Sequence, residues 1–417
     1  MKALELGSPG VFSTVLKLTL PAMLAQFINV LYSIVDRMYV GNIPEIGDLA
    51  LAGVGVCAPI STLITSFSYL IGMGGAPLFA MSLGEGRQDN AKKILANAFF
   101  ALIGISVIVS AVMLSLTRPI LMTFGASEAT YVYAKRYFIV CAAGAVFPIV
   151  ATGLNQFIIA QGYSGIGMAT IAIGAVANIA LDPLFIFVFH LDAMGAAIAT
   201  VFSQFLSFAF VLLFLRLKQT KVRLSLHGFS GRIIAKTLKL GLSPFLIMAT
   251  DSLIIIVSNA MLQKYGGADG DMWITVSTVV QAFFSLITMP MLGISTGSQP
   301  VLSFNYGAKN EALIKKAVKI ILSMCIVFTV VMFALSFAVA APFVSLFTKD
   351  PEIARHSVWG IRVFMIGVIP LAFQYALVDS LTALGQPQYS VVLSLFRKLV
   401  VFLGCTLLLP VFFCARS

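Results

Sequence analysis

Four carboxylates lie inside otherwise apolar stretches of this sequence: Asp36, Asp182, Asp251 and Asp379. An acid within a long apolar stretch is costly to keep, and such residues usually bind an ion, a proton or a ligand. Arg397 and Lys398 are two cations in a later apolar stretch, where we expect one of them to pair with an acid or to face a cavity. The Lys398 side chain is also long enough to reach a membrane surface.

Asn178 precedes Asp182 by four residues, which places both side chains on one face of a helix. Carboxylate and amide oxygens are ligands for a hard cation such as sodium, whereas a buried carboxyl group can instead carry a proton. A purely structural alternative is that Asp36 reaches an interface and Asp182 caps a turn broken by Pro183. Both interpretations are open at this point.

The composition of the whole chain is that of a membrane protein. Hydrophobic residues make up 59% of the sequence and charged residues only 10%, and the mean hydropathy is +1.01. Soluble domains carry about 25% charged residues. The apolar runs are continuous rather than alternating, which favours helices over a barrel. We therefore predict an all-α polytopic membrane protein.

Eleven apolar spans can be counted along the chain. Several exceed the roughly 20 residues that a hydrocarbon core of about 30 Å requires, so tilted or kinked helices are expected. The spans lie at about residues 13–40, 50–81, 93–116, 132–160, 165–190, 194–216, 237–264, 272–302, 317–346, 357–384 and 388–413.

Depth in the membrane groups three polar residues from different spans. Asp36 lies about four residues from the outer end of the first span, Asp182 about eight from the outer end of the fifth, and Thr200 about six inside the sixth. With a rise of about 1.5 Å per residue, all three lie roughly 6–12 Å below the outer surface. One site could therefore contain them together with Asn178.

The sequence repeats itself with an offset of about 222 residues. Leu16–Pro21 and Leu238–Pro244 open two apolar spans with nearly the same phrase, and Pro148 and Pro370 have the same separation. The repeat predicts two six-helix halves, residues 1–216 and 237–417, joined by a linker at 217–236. The counterpart of the sixth span would fall beyond Ser417, so we expect eleven spans with the twelfth missing.

The loop charges predict an orientation. Lysine and arginine concentrate in the loops near residues 87–93, 216–239 and 309–319, which lie on one side of the membrane, while the other side has more acids. The positive-inside rule places these loops and the amino terminus in the cytoplasm. The expected location is the inner, or plasma, membrane.

Other classes of function find little support. The net charge of +11 lies in loops and reflects topology, so no nucleic-acid partner is expected. The five cysteines show no CxxC spacing, and the three histidines form no HExxH or Ser/His/Asp arrangement. Gly72–Gly75 lacks the lysine of a P-loop and fits close helix packing better. We expect no enzyme, no cofactor and no metal other than sodium at the cation site.

The strongest local phrases are Val35–Gly41, Asn178–Pro183, Gln299–Pro300 and Asn305–Ala308. Together they resemble the multidrug and toxic compound extrusion family, particularly its bacterial branch related to DNA-damage-inducible efflux proteins. The resemblance covers the chain apart from the last helix. It implies a twelve-helix antiporter that exports cationic or amphipathic compounds in exchange for sodium or protons.

In similar proteins the cation binds in the amino-terminal half, and the corresponding positions here are Asp36, Asn178, Asp182 and Thr200. Some relatives also use acids of the carboxy-terminal half, and the candidates here are Asp251 and Asp379. We add Arg397, a cation of the last span, as a third candidate. The expected partners are drug-like molecules and membrane lipid, and the oligomeric state stays open.

Two other functions are weighed against this one. A flippase for lipid-linked precursors on a related fold would need several cations around a phosphate, for which the candidates are Arg397 and Lys398. A membrane-embedded enzyme would need a catalytic cluster, which the sequence does not offer.

Overall fold

The computed structural model describes residues 4–41, 43, 47–124, 128–217, 220–225, 227–266, 270–345, 347 and 350–408. Within these ranges the chain forms helices joined by short loops, and no strand is found there. The predicted all-α class is therefore confirmed.

The part of the chain before the predicted linker forms eight α-helices. A short π-helical segment, Leu184–Val188, continues the seventh directly after Pro183. The eight helices are α1 (Val11–Gly41), α2 (Gly47–Gly84), α3 (Gln88–Ser115), α4 (Thr117–Thr123), α5 (Glu128–Ala143), α6 (Val146–Ala160), α7 (Ser164–Pro183) and α8 (Asp192–Arg216).

Six more α-helices follow, and the first of them begins within the predicted linker, at Gly231. The last is continued by a second π-helical segment, Phe396–Leu403. These helices are α9 (Gly231–Gly266), α10 (Gly270–Gly307), α11 (Glu311–Val344), α12 (Pro351–Ile366), α13 (Val368–Ala383) and α14 (Pro387–Leu395).

The number of spans agrees with the sequence. Within the described residues, nine helices are long and apolar enough to cross a membrane, and the number is eleven if each of two bent helix pairs counts as one span. A twelfth helix stays a prediction.

The two bent pairs are α5 with α6 and α12 with α13, which turn by 51° and 47°. Pro148 and Pro370 lie just after the two breaks. Proline has no N–H and its ring clashes with the carbonyl four residues earlier, here that of Gly144 or Ile366, so a straight helix is disfavoured at both places. The sequence predicted each pair as one span and expected kinks at prolines, and the structure has a sharp bend at the same position of both repeats.

Helices of the two repeats pack directly on each other. One hydrophobic cluster joins residues from α2 to α8, whereas a second brings Val15 and Leu18 of α1 together with Met291 and Ile294 of α10. In addition, α2 packs along α9. The first two helices therefore form much of the contact between the repeats.

Glycines allow this contact to be very close. A Cβ atom on Gly241 of α9 would lie 1.7 Å from the carbonyl oxygen of Leu70 in α2, and one on Gly84 of α2 would lie 1.9 Å from the carbonyl oxygen of Phe304 in α10. No side chain fits in either place. Two more glycines meet main-chain atoms in the same way, and we call the four the glycine seam: Gly74, Gly84, Gly241 and Gly307.

Candidate functional site

A group of polar side chains lies where α7 meets α8. Asn178 Nδ2 donates a hydrogen bond of 3.1 Å to Asp182 Oδ1 on the same helix and is 3.4 Å from Thr200 Oγ1 of α8. Asn178 is 2% exposed and Asp182 is fully buried. The four-residue spacing therefore puts the amide and the carboxyl group on one face, as predicted, and that face points into the protein.

Asp36 of α1 completes this group. Its carboxyl group lies within hydrogen-bonding reach of the Asp182 carboxyl group. Ionised carboxylates only accept hydrogen bonds, so two of them at this separation need a proton or a cation between them. The structure brings together all four residues that the sequence singled out in this half, and we call them the polar cluster: Asp36, Asn178, Asp182 and Thr200.

Close packing of α7 against α8 supports the polar cluster. A Cβ atom on Gly174 would lie 2.6 Å from Ser207 Oγ, and Ser207 Oγ donates a hydrogen bond of 2.9 Å to the Thr170 carbonyl. Beyond Pro183, the π-helical segment packs closely on α8. A Cβ atom on Gly195 of α8 would lie only 2.7 Å from the Phe185 carbonyl oxygen. Small residues thus hold the two helices at a short separation on both sides of the carboxyl group.

The sequence missed three residues that lie within electrostatic reach of the carboxyl pair. Tyr32 lies within electrostatic reach of Asp36 and Asp182, and Tyr137 and Cys141 of α5 lie within reach of Asp36. Tyr32 could have been found, because it precedes Asp36 by four residues on the same helix. The two α5 residues carried no local signal of this contact.

The donor set of the polar cluster suits a small cation or a proton. Two carboxyl groups, an amide oxygen and a hydroxyl are hard oxygen ligands. Asn178 Oδ1 and Asp182 Oδ2 are buried, and neither accepts a hydrogen bond from an N–H or hydroxyl of the described residues. Over the same residues, no group of three or more His, Cys, Asp or Glu side chains is placed to hold a metal ion.

Asp379 lies in the other half of the chain and is buried. It is 8% exposed on α13, and its Oδ2 accepts a hydrogen bond from Ser295 Oγ of α10. Gln299 of α10 lies near this carboxyl group, but its Nε2 donates no hydrogen bond to the described residues. The Asp379 carboxyl group is therefore held inside the protein between α10 and α13.

Asp251 and Lys398 form an ion pair between α9 and the second π-helical segment. The Lys398 side chain is 4% exposed and also donates a hydrogen bond to the Ile247 carbonyl, whereas the Asp251 side chain is 45% exposed. Lys398 therefore does not reach for the membrane surface. The acid neutralises a buried cation.

A cavity lies between the two repeats. It contains about 620 Å³ of space not filled by atoms, including its open mouth. Both repeats contribute to its wall, with apolar side chains together with amides, tyrosines, Asp379 and Arg397. The lining residues are Gln26, Tyr69, Met73, Gln156, Pro244, Ile247, Met248, Leu292, Thr296, Gln374, Tyr375, Val378, Asp379, Ser394 and Arg397.

The sequence profile of the MatE family matches the chain twice, at residues 21–184 and 245–407, which together make up more than half of its length. This chain belongs to the MatE family. MatE proteins are membrane transporters, so the chain is a multi-pass transporter and not an enzyme. The family resemblance of the motifs is thereby confirmed.

Individual relatives can be aligned with this sequence over nearly its whole length. The multidrug export protein MepA of Staphylococcus haemolyticus is 23% identical over 98% of this chain and 87% of its own length, and MepA of Staphylococcus aureus strain MSSA476 is 24% identical over 94% and 86%. Among solved structures, an outward-facing multidrug resistance MATE family transporter superposes with a TM-score of 0.89 at 23% identity, over 96% of this chain and 88% of that one. A MOP superfamily transporter from Pyrococcus furiosus superposes with a TM-score of 0.88 at 22% identity, over 97% of this chain and 91% of its own. The MatE fold therefore extends along nearly the whole chain.

Proposed function

We propose that this MatE transporter exports cationic or amphipathic compounds in exchange for a sodium ion or a proton. The similar MepA proteins are named as multidrug export proteins, which supports drug-like substrates. The polar cluster supports the coupling to a cation, and the cavity between the repeats supports the binding of the exported compound.

The observation that carries this proposal is the proximity of the Asp36 and Asp182 carboxyl groups where α1 packs on α7. Two buried carboxylates repel each other unless positive charge lies between them. Asn178 orients one of them through a hydrogen bond of 3.1 Å. A site of this kind accepts one proton or one sodium ion, and the two would compete for it.

The cavity has the properties of a site for a drug-like molecule. Its wall combines apolar side chains with a small number of amide, hydroxyl and charged groups, which is typical of small-molecule sites. Methionine and leucine side chains offer adaptable apolar contact, and glutamine and tyrosine side chains offer hydrogen bonds. A cavity lined by both repeats also changes shape when the repeats move relative to each other.

The cation and the compound would bind at separate places, since the polar cluster does not line the cavity. Exchange then requires that each ligand favours a different arrangement of the same helices. Both sites involve α1, because Asp36 lies near its end and Gln26 lines the cavity. Movement of α1 would therefore couple the two sites.

We further propose two halves, residues 1–216 and 237–417, with a cytoplasmic linker at 217–236 and a cytoplasmic amino terminus in the plasma membrane. The two matched segments of nearly equal length support the division. The lysine- and arginine-rich loops support the orientation.

The test is exchange by the purified chain in proteoliposomes. A fluorescent organic cation is loaded inside, and a sodium gradient and a proton gradient are imposed separately. Efflux driven by either gradient supports the antiporter and identifies the coupling ion. Translocation of a labelled lipid without drug efflux would favour the flippase, and chemical conversion of the probe would favour an enzyme; either result contradicts the proposal.

A further inference from the structure

Arg397 lies at the wall of the central cavity. We propose that this side chain binds a carboxylate of the exported compound, so that the preferred substrates are amphipathic zwitterions. The inference deepens the proposed function and rests on it, because it names the substrate class of the same cavity.

The first argument is the cost of an uncompensated cation. No carboxylate of the described residues lies within 4.0 Å of the Arg397 guanidinium, and over the same residues the side chain donates no hydrogen bond. Its Nε atom is buried and has no partner among the described residues. An arginine kept in this condition among membrane helices is expected to serve a ligand.

The neighbouring residue provides an internal comparison. Lys398 is neutralised by Asp251 and by the Ile247 carbonyl. Both cations belong to the π-helical segment Phe396–Leu403, in which Lys398 is buried against α9 while Arg397 lies at the cavity. Asp251 is therefore already paired with Lys398 and not with Arg397. The π-helical segment that carries both cations is itself a feature often found at functional sites.

The surroundings of Arg397 fit a ligand with charges of both signs. Gln374 donates to the Leu393 carbonyl, and its Oε1 is buried and accepts nothing from the described residues. Asp379 lines the same cavity, and Tyr375 lies within electrostatic reach of Asp379 and Arg397. The cavity thus offers a carboxyl group, a free acceptor and a guanidinium, together with apolar side chains.

The guanidinium also limits the kind of anion. Arginine binds a carboxylate with two parallel hydrogen bonds, which gives orientation as well as affinity. Within the described residues, Arg397 is the one cation that lines the cavity. A single arginine balances one negative charge and not a diphosphate, so a carboxylate on a flat apolar body is favoured over a lipid-linked phosphate.

Binding of two matched dyes to the purified chain tests this proposal. The probes are a rhodamine with a free carboxylate and its methyl ester, which differ in charge by one unit at nearly the same shape. Fluorescence polarisation in detergent gives the dissociation constant of each dye without any need for transport. The wild-type chain should bind the acid about 10-fold or more tightly than the ester, the size expected for a charge-assisted bidentate contact.

Arg397→Gln should remove that preference. The affinity for the acid dye should fall about 10-fold, the free-energy equivalent of the lost contact, while the affinity for the ester should stay the same. Unchanged ester binding also shows that the variant is folded. Arg397→Lys should restore part of the preference, and Arg87→Gln, an exposed arginine outside the cavity, should leave it intact.

Equal binding of the two dyes by the wild-type chain would overturn the proposal, whatever the variants do. A preference that survives Arg397→Gln, or displacement of the acid by short-chain phosphatidate more readily than by benzoate, would overturn it as well. Absence of ion-coupled efflux for both dyes in proteoliposomes would instead contradict the proposed antiport, and the binding result would stand apart from it.

Discussion

Replacing Asp182 by asparagine removes one charge from the polar cluster and changes little else. The side chain is fully buried and accepts a hydrogen bond of 3.1 Å from Asn178 Nδ2. The carbonyl oxygen of an asparagine can accept the same bond. Asp182→Asn should therefore fold, insert and bind compounds in the central cavity, which Asp182 does not line.

The loss should fall on the affinity for the coupling ion. Two unit charges about 4 Å apart attract each other by about 4 kcal/mol at an effective dielectric constant of about 20, and dehydration of the ion offsets part of this. A charge-assisted contact retains about 1.5–3 kcal/mol, which corresponds to about 10- to 100-fold in affinity. Because Asp36 remains, coupling should be weakened rather than lost.

The assay is efflux of an organic cation from proteoliposomes, measured over a series of external sodium concentrations and then over a series of external pH values. The concentration of the coupling ion that gives half-maximal efflux should rise about 10- to 100-fold in Asp182→Asn, in line with the lost contact. Glu311→Gln is the matched control, since the Glu311 side chain is 84% exposed and its one ion pair among the described residues is with Lys315 at 3.9 Å.

An unchanged ion dependence in a well-folded Asp182→Asn variant would refute the assignment of the coupling site. An equal shift in Glu311→Gln would show that the effect comes from the charge of the whole protein. Either result would leave the carboxyl pair without a role in coupling.

Three further predictions concern other parts of the protein. Gly241→Ala should destabilise the protein by about 1–3 kcal/mol through overpacking and impair transport, whereas Gly104→Ala, with open space around it, should not; equal thermal unfolding of the two variants would contradict the close contact. Asp251→Asn should lower the unfolding temperature more than Lys398→Met, because it leaves a buried cation without its partner at a cost of up to about 3 kcal/mol, and the reverse order would contradict this. A reporter that is active only in the cytoplasm and is inserted in the linker 217–236 should be active, and inactivity would reverse the proposed orientation.

The polar cluster could be predicted because two simple rules coincide in it. Asn178 and Asp182 are four residues apart on one helix, and Asp36 and Thr200 belong to spans that place them at a similar depth. Helical periodicity and the thickness of the membrane require no knowledge of the tertiary structure. The approach of α1 to α7, which brings Asp36 to Asp182, is consistent with those rules but does not follow from them.

The carboxy-terminal half shows where such rules stop. Asp251 and Lys398 are 147 residues apart, and no periodicity connects them. Arg397 and Lys398 are adjacent and chemically similar, so the sequence could not decide which of them pairs with an acid. Their different surroundings arise from a π-helical segment and from the packing of α9, which together decide which cation is buried in an ion pair and which faces the cavity.

The glycine seam is a contact of main chain against main chain. Interlocked side chains would have to change rotamer before two helices could part, whereas a smooth backbone surface can separate and rejoin without that step. Cα–H···O contacts at such a surface are individually weak. We therefore expect the helices of the glycine seam to separate and rejoin without rotamer changes. The ligands bound at the polar cluster and in the cavity would then determine the side of the membrane to which the transporter opens.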